Sequence, residues 1–170
     1  YDYLKAQILS LLNNRQKERE AFSKRPFFPV QNMQMSKEDE VFMNKVIEVI
    51  NANMEDETFN VERMAEALCL SRSSLLRKIK TLFNMSPIDF IRLIRLKKAA
   101  ELIQDGKYRV GEISYMVGFG SHSYFSKLFF KQFGMTPKDF EQQIASTRSK
   151  VRNVQEINIE DLIQNNRANS

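Results

Sequence analysis

"LSRSSLLRKIKTLFNMSPIDF" occupies residues 70–90, and "GSHSYFSKLFFKQFGMTPKDF" occupies residues 120–140. At an offset of 50 the two stretches pair Leu75 with Phe125, Arg77 with Lys127, Ile79 with Phe129 and Phe83 with Phe133. Further upstream the offset becomes 49, pairing Val61 with Val110, Met64 with Ile113, Leu68 with Val117 and Leu70 with Phe119. One extra residue, in "GFGS" against "CLS", absorbs the difference. Each copy is a short helix, a tight turn and a second helix opened by a serine cap, Ser71 or Ser121, which is the layout of a helix-turn-helix. Two such units in register are hard to attribute to chance.

Inside each second helix the spacing separates two faces. Phe125, Leu128, Phe129 and Phe133, like Leu75, Ile79, Leu82 and Phe83, recur at helical intervals and form a buried stripe. Ser123, Ser126, Lys127 and Phe130 fall on another face and correspond one by one to Ser73, Leu76, Arg77 and Lys80. Amphipathicity accounts fully for the inward sets, but it does not require two equivalent outward faces of short polar and basic residues. Such residues suit a DNA major groove: Arg pairs bidentately with guanine, Ser meets several base edges, and Leu meets a thymine methyl. Solvation alone also accommodates them. Phe119 is expected to pin the second turn.

Between the copies, Pro87 follows the cap Ser86 and opens a helix over 87–104 that Asp105 and Gly106 stop. At 1.5 Å per residue it spans about 27 Å. Phe90, Ile94, Ala99, Ala100 and Ile103 form its seam, and it reads as a rigid strut between the two units. Pro137 after Thr136 opens another helix in the same way.

Ahead of the repeat lie a helix over 3–24 and a linker at 26–35 broken by Pro26 and Pro29. Leu4, Ile8, Leu11 and Leu12 give the first helix an apolar first half, and its second half, almost wholly charged, reads as solvated. Ser36 and Asp39 resemble a capping pair for a helix over 37–53, whose stripe is Phe42, Val46, Val49 and Ile50. The divisions are then 1–25, 26–35, 36–57, a repeat region over 58–142 with units at 61–84 and 110–134, and a polar tail over 143–170. In that tail Val154, Ile157, Ile159, Leu162 and Ile163 support one weak helix; otherwise it is expected to be mobile. The fold class is all-α.

The 170-residue chain has 42% hydrophobic and 28% charged residues, and no apolar run approaches the roughly 20 residues needed to cross a bilayer. The segment therefore reads as soluble, without membrane contact and cytoplasmic, and its opening at Tyr1 inside a helix suggests a longer parent. Its formal charge is +5, modest evidence for a polyanionic partner. Acids dominate residues 36–57, while Arg72, Arg77, Lys78, Lys80, Arg92, Arg95, Lys97 and Lys98 gather downstream. The single cysteine, Cys69, cannot form an internal disulfide and is expected to be a small buried residue. His122 has no Cys or His neighbours for zinc and is better placed as a polar contact. With no glycine-rich phosphate loop, metal cluster or nucleophile arrangement, no cofactor and no enzymatic activity are expected.

"MAEALCLSRSSLLRKIK", "MSPIDFIRLIRLKKAAELI", "EISYMVGFGSHSYFSKLFFKQFGMTP" and the closing "KDF" resemble the AraC/XylS-type DNA-binding domain over about half the chain. The most diagnostic part is Gly118-Phe119 followed by Ser123-Tyr124-Phe125. The resemblance implies two recognition helices in adjacent major-groove segments of double-stranded DNA, about 34 Å apart. It implies Arg72, Ser73, Leu76, Arg77, His122, Ser123, Ser126 and Lys127 as base-reading residues. Ser71, Lys80, Ser121 and Lys131 are the implied phosphate contacts, and RNA polymerase is an implied partner. Three positions depart from the family pattern. Asn84 and Cys69 stand where glycine is usual, and Phe130 stands where a basic residue is usual, with Lys131 as a substitute contact. Residues 2–24 also resemble the last helix of a response-regulator receiver domain, as in hybrid two-component proteins. A plain linker, or a helix that forms a homodimer or docks on a receiver, fits the same pattern.

Overall fold

The computed structural model describes residues 1–168, with side chains as far as Asn153. Among the described residues the chain is all-α: α1 (Asp2–Lys24), a 3-10 turn (Val30–Asn32), α2 (Lys37–Ala52), α3 (Val61–Ala67), α4 (Arg72–Phe83), α5 (Pro87–Asp105), α6 (Val110–Met116), α7 (His122–Phe133) and α8 (Pro137–Ala168). Helices α3–α4 and α6–α7 are the two helix-turn-helix units, and α5 joins them.

The helix starts follow from capping chemistry. Ser36, Ser71, Ser86, Ser121 and Thr136 each accept a hydrogen bond from the amide three residues on, satisfying an orphan donor of the first turn. Asn60 does the same for Arg63 and opens α3. At the other ends, Asn84 (φ 55°), Gly106 (φ 71°) and Gly134 (φ 79°) terminate α4, α5 and α7 in the left-handed conformation.

Strut α5 is buried almost all round. Beyond Phe90, Ile94, Ala99, Ala100 and Ile103, its Ile91, Leu93, Leu96, Arg95 and Lys97 are also buried. Around it Leu75, Ile79 and Phe83 of α4 and Phe125 and Phe129 of α7 complete one continuous core. Phe119 is buried against Phe125 and Tyr124, pinning the second turn. Fully burying one such aromatic stabilises by about 1.5–3 kcal/mol, so this row of phenylalanines is chiefly structural. In α2 the buried stripe is Met43, Val46 and Ile50; Phe42 and Val49 lie half-buried at its margins.

Helix α1 inverts the expectation. Its apolar first half, including Leu4, Ile8, Leu11 and Leu12, is exposed, and its charged second half is the docked part. Phe22, only 2% exposed, inserts between Phe83 and Phe90, with ring centroids 5.1 and 6.2 Å away. Arg19 donates to the carbonyls of Leu82 (2.9 Å) and Thr81 (2.6 Å). One deeply seated ring and one guanidinium fork are enough to dock a segment whose remaining charges stay in water.

Residues 143–168, expected to form a separate mobile tail, instead continue α8 to Ala168, since no Pro or Gly interrupts the helix opened at Pro137. Phe140 is buried between the rings of Phe129 and Phe27, Ile144 is half-buried, and Arg148 donates to the carbonyl of Gln104 at the end of α5. The side chains of Val154, Ile157, Ile159, Leu162 and Ile163 lie outside the described residues.

Candidate nucleic-acid interface

In α4, Arg72, Ser73, Leu76, Arg77 and Lys80 are all exposed, while Leu75, Ile79 and Phe83 turn inward. In α7, His122, Ser123, Lys127, Phe130 and Lys131 are exposed and Ser126 is half-buried, while Phe125 and Phe129 turn inward. Both predicted reading faces thus reach solvent, on two helices that each pack on a shared strut 19 residues long, or about 28 Å at 1.5 Å per residue. Both helices begin with free amides and a serine cap, which favours phosphate near their N-termini.

Individual residues are committed to different degrees. The Arg72 guanidinium lies 2.7 Å from Glu62 of α3, but both side chains are well exposed, and an exposed pair of this kind contributes little and yields readily to a phosphate or base. Ser71 accepts from the Ser74 amide and donates to the Ser74 hydroxyl at 2.9 Å, so its part in a phosphate site is mainly to order the first turn. The Ser121 oxygen accepts from the Tyr124 amide, which leaves its proton to donate. Phe130 is 55% exposed and sits on the outward face of α7, where α4 carries Lys80. It is therefore not a core phenylalanine.

The basic concentration on and after α4 divides once it is folded. Arg77 and Lys80 are exposed on α4, whereas Lys78 lies 4.9 Å over the Phe42 ring. Arg92 pairs with Asp89, and Lys98 with Glu101. Arg95 and Lys97 are only 6% and 8% exposed and leave the basic surface altogether.

Arg95 donates to the carbonyls of Gly118 (2.9 Å) and Asp56 (2.7 Å), fastening the loop after α2 to the turn of the second unit. Its Nε is buried without a hydrogen-bond partner among the described residues, and burial lowers its pKa. Lys97 donates to the carbonyls of Arg25 (2.9 Å) and Phe28 (3.1 Å) and lies 4.2 Å over the Phe22 ring. Burial pushes the Lys97 pKa down to about 8, opposed by the nearby Glu101 carboxylate. Sequence reasoning missed both roles. The available signal was "IRLIRLKKAA", in which apolar residues flank the cations on every side of the helix.

Asp56, at the mouth of that loop, has its pKa lowered to about 2 by the Thr58 hydroxyl and then by Arg63, whose guanidinium lies 2.6 Å away. Cys69 is exposed, contrary to the expectation that it is buried; it occupies the turn between α3 and α4 with φ 55°, on a side that no other segment covers. Gly118 fills the matching place in the second unit at φ 80°. Among the described residues no His, Cys, Asp or Glu group could hold a metal ion, and no helix is long and apolar enough to cross a membrane.

Two capped helices, each the second of a helix-turn-helix and each presenting a matched polar and basic face, define a DNA-binding domain of a transcription regulator. A family described as "Helix-turn-helix domain" matches residues 64–143. Histidine kinase P4 of Formosa agariphila is 36% identical over 137 residues, which are 81% of this chain and 10% of that protein. The HTH-type transcriptional regulator MtrA of Neisseria gonorrhoeae is 32% identical over 101 residues, 59% of this chain and 33% of that protein. The C-terminal domain of AraT, a response regulator from Geobacillus stearothermophilus, superposes with a TM-score of 0.54 at 28% identity, covering 65% of this chain and 88% of that one. The chain spans from a tenth to a third of the length of these two curated relatives. Its repeat region is an AraC-type DNA-binding domain.

Proposed function

We propose that this chain is the sequence-reading output segment of a two-component regulator, with α4 and α7 entering successive major-groove segments on one face of the duplex. The observation that carries this reading is the correspondence of the exposed faces 73/76/77/80 and 123/126/127/130 on two helices fixed to one strut. Arg72, Ser73, Leu76 and Arg77, then His122, Ser123, Ser126 and Lys127, read bases. Lys80 and Lys131, with the capped starts at Ser71 and Ser121, hold phosphates. The names borne by the Formosa protein and by AraT support the two-component context, and any kinase chemistry belongs to parts of the parent outside these residues. The site of action is then the cytoplasm, with RNA polymerase as the partner that turns binding into regulation.

Replacing Arg77 or Lys127 with Ala tests the assignment. Each change is expected to lower discrimination between preferred and altered sites by about 1–3 kcal/mol per lost bidentate contact. Nonspecific binding should fall less. An unchanged preferred site for both variants in a selection from random duplexes would sink the assignment.

The exposed apolar half of α1 supports a second role for the same chain, homodimerisation or docking on the parent's receiver domain. Self-association that ignores salt, without DNA affinity, would favour that role alone; DNA binding that weakens steeply with salt marks the first.

A further inference from the structure

The end of α1 touches both reading helices at their C-terminal turns. On one side Arg19 forks onto the carbonyls of Thr81 and Leu82, two of the orphan acceptors that close α4. On the other, the side-chain amide of Gln132, in the last turn of α7, donates to the Ser23 hydroxyl at 2.8 Å and to the Ser23 carbonyl. Between these ties Phe22 is wedged against Phe83 of α4 and Phe90 of α5. Lys97 of α5 then holds the chain that leaves α1 through the carbonyls of Arg25 and Phe28.

Each reading helix packs on α5 and on the short first helix of its own unit, α3 or α6. Two units joined through one strut keep a soft degree of freedom, rolling relative to one another about that strut. A second tie that bridges them, away from the strut, opposes the roll. The α1 end supplies that tie to α4 and α7 together, and its ties are charge-assisted or paired amide hydrogen bonds at partly buried positions. None of Arg19, Phe22, Ser23 and Gln132 lies on a reading face, so the sequence information of the helices does not depend on them.

We propose that Arg19, Phe22, Ser23 and Gln132 are positioning residues that fix the distance and relative roll of the two recognition helices, and so select the half-site spacing that the protein accepts. The inference rests on the reading of α4 and α7 as groove-entering helices.

The test uses the full chain and the duplex it prefers in selection, together with the same duplex carrying one base pair inserted between the half-sites. One inserted pair moves a half-site by about 3.4 Å and turns it by roughly 35°. The wild type should lose about tenfold or more in affinity on insertion. Arg19→Ala combined with Gln132→Ala should cut that loss to about threefold or less, and a single isolated half-site should bind both proteins alike. Gln132→Met removes only the donor to Ser23 and, should the double variant unfold, provides the same readout with an intermediate loss. Arg19→Lys, which keeps a charged donor, should restore part of the spacing preference. A spacing penalty equal to that of the wild type in folded Gln132→Met, or in the double variant, overturns the proposal. A wild type with no spacing preference, whose Arg77→Ala and Lys127→Ala forms select the same site, overturns the groove reading itself and the proposal with it.

Discussion

The two helix-turn-helix units share a plan but are bound to the rest of the molecule differently, and their turns show it. In the first unit the left-handed turn position is Cys69, exposed and at φ 55°. In the second it is Gly118, buried, at φ 80°, with its carbonyl held by the Arg95 guanidinium. A Cβ at Gly118 would come within 2.5 Å of the Met54 carbonyl oxygen and 2.7 Å of the Arg95 Cζ. The first turn borders water and accepts a side chain at the cost of backbone strain. The second is clamped between a buried cation and the loop after α2 and admits none. The exposed faces differ as well: α4 offers Arg72, Arg77 and Lys80, whereas α7 offers Lys127 and Lys131 with Phe130 where α4 has its lysine.

The sharpest way to break this contrast is to exchange the turn residues. Gly118→Ala should destabilise the fold by roughly 2–3 kcal/mol, combining left-handed strain with a clash against backbone. Cys69→Gly should stay within about 1 kcal/mol of the wild type, since relief of strain and the greater entropy of the unfolded chain oppose each other. Urea unfolding of both variants decides it, and equal losses would erase the distinction.

The buried cations of α5 extend the comparison, since Arg95 serves the second turn and Lys97 serves the segment after α1. Lys97 has a folded pKa near 8, below its unfolded value. The unfolded chain therefore binds the extra proton as pH rises above 8, and folding stability contributed at this site increases with pH toward the unfolded pKa of about 10.5. Relative to Lys97→Met, the wild type should gain about 1 kcal/mol between pH 8 and pH 9. A constant difference between the two proteins across that range would show that the ammonium is not perturbed. Arg95 should give no such pH dependence below pH 10, because a guanidinium stays charged there even when burial lowers its pKa.

The smallest expected effect concerns Phe130. Phe130→Lys should strengthen binding to all sequences severalfold and steepen the dependence of log K on log salt by about 1, as expected for one added phosphate contact. Titrations at several salt concentrations measure both. Unchanged affinity would leave Phe130 as an exposed ring beside the groove rather than a missing phosphate contact.

Much of this was legible beforehand because it depends on neighbours in the chain. The caps Ser36, Ser71, Ser86, Ser121 and Thr136, the prolines that open α5 and α8, and Asn84 as a helix terminator all follow from chemistry within four residues. The repeat revealed the inward phenylalanines and the outward faces together, since helical periodicity fixes which residues share a side. The fate of a charge was not legible in this way. Arg77 and Arg95 are alike in the sequence, yet one stands in solvent and the other is buried against carbonyls from residues 56 and 118. The charged half of α1 misled for the same reason, because its seat is built from residues about 60 positions further on.

The sequence by itself determined an all-α chain with a duplicated helix-turn-helix, the capped helix starts, and the pair of outward faces, because backbone capping and a 3.6-residue period are local properties; it did not foresee that the last helix runs on to Ala168. Only the tertiary structure decided which cations are buried, which half of α1 docks, and why the second turn excludes a side chain. Each of those depends on the packing of segments distant in sequence, where desolvation and the supply of carbonyl acceptors are set by the assembled core.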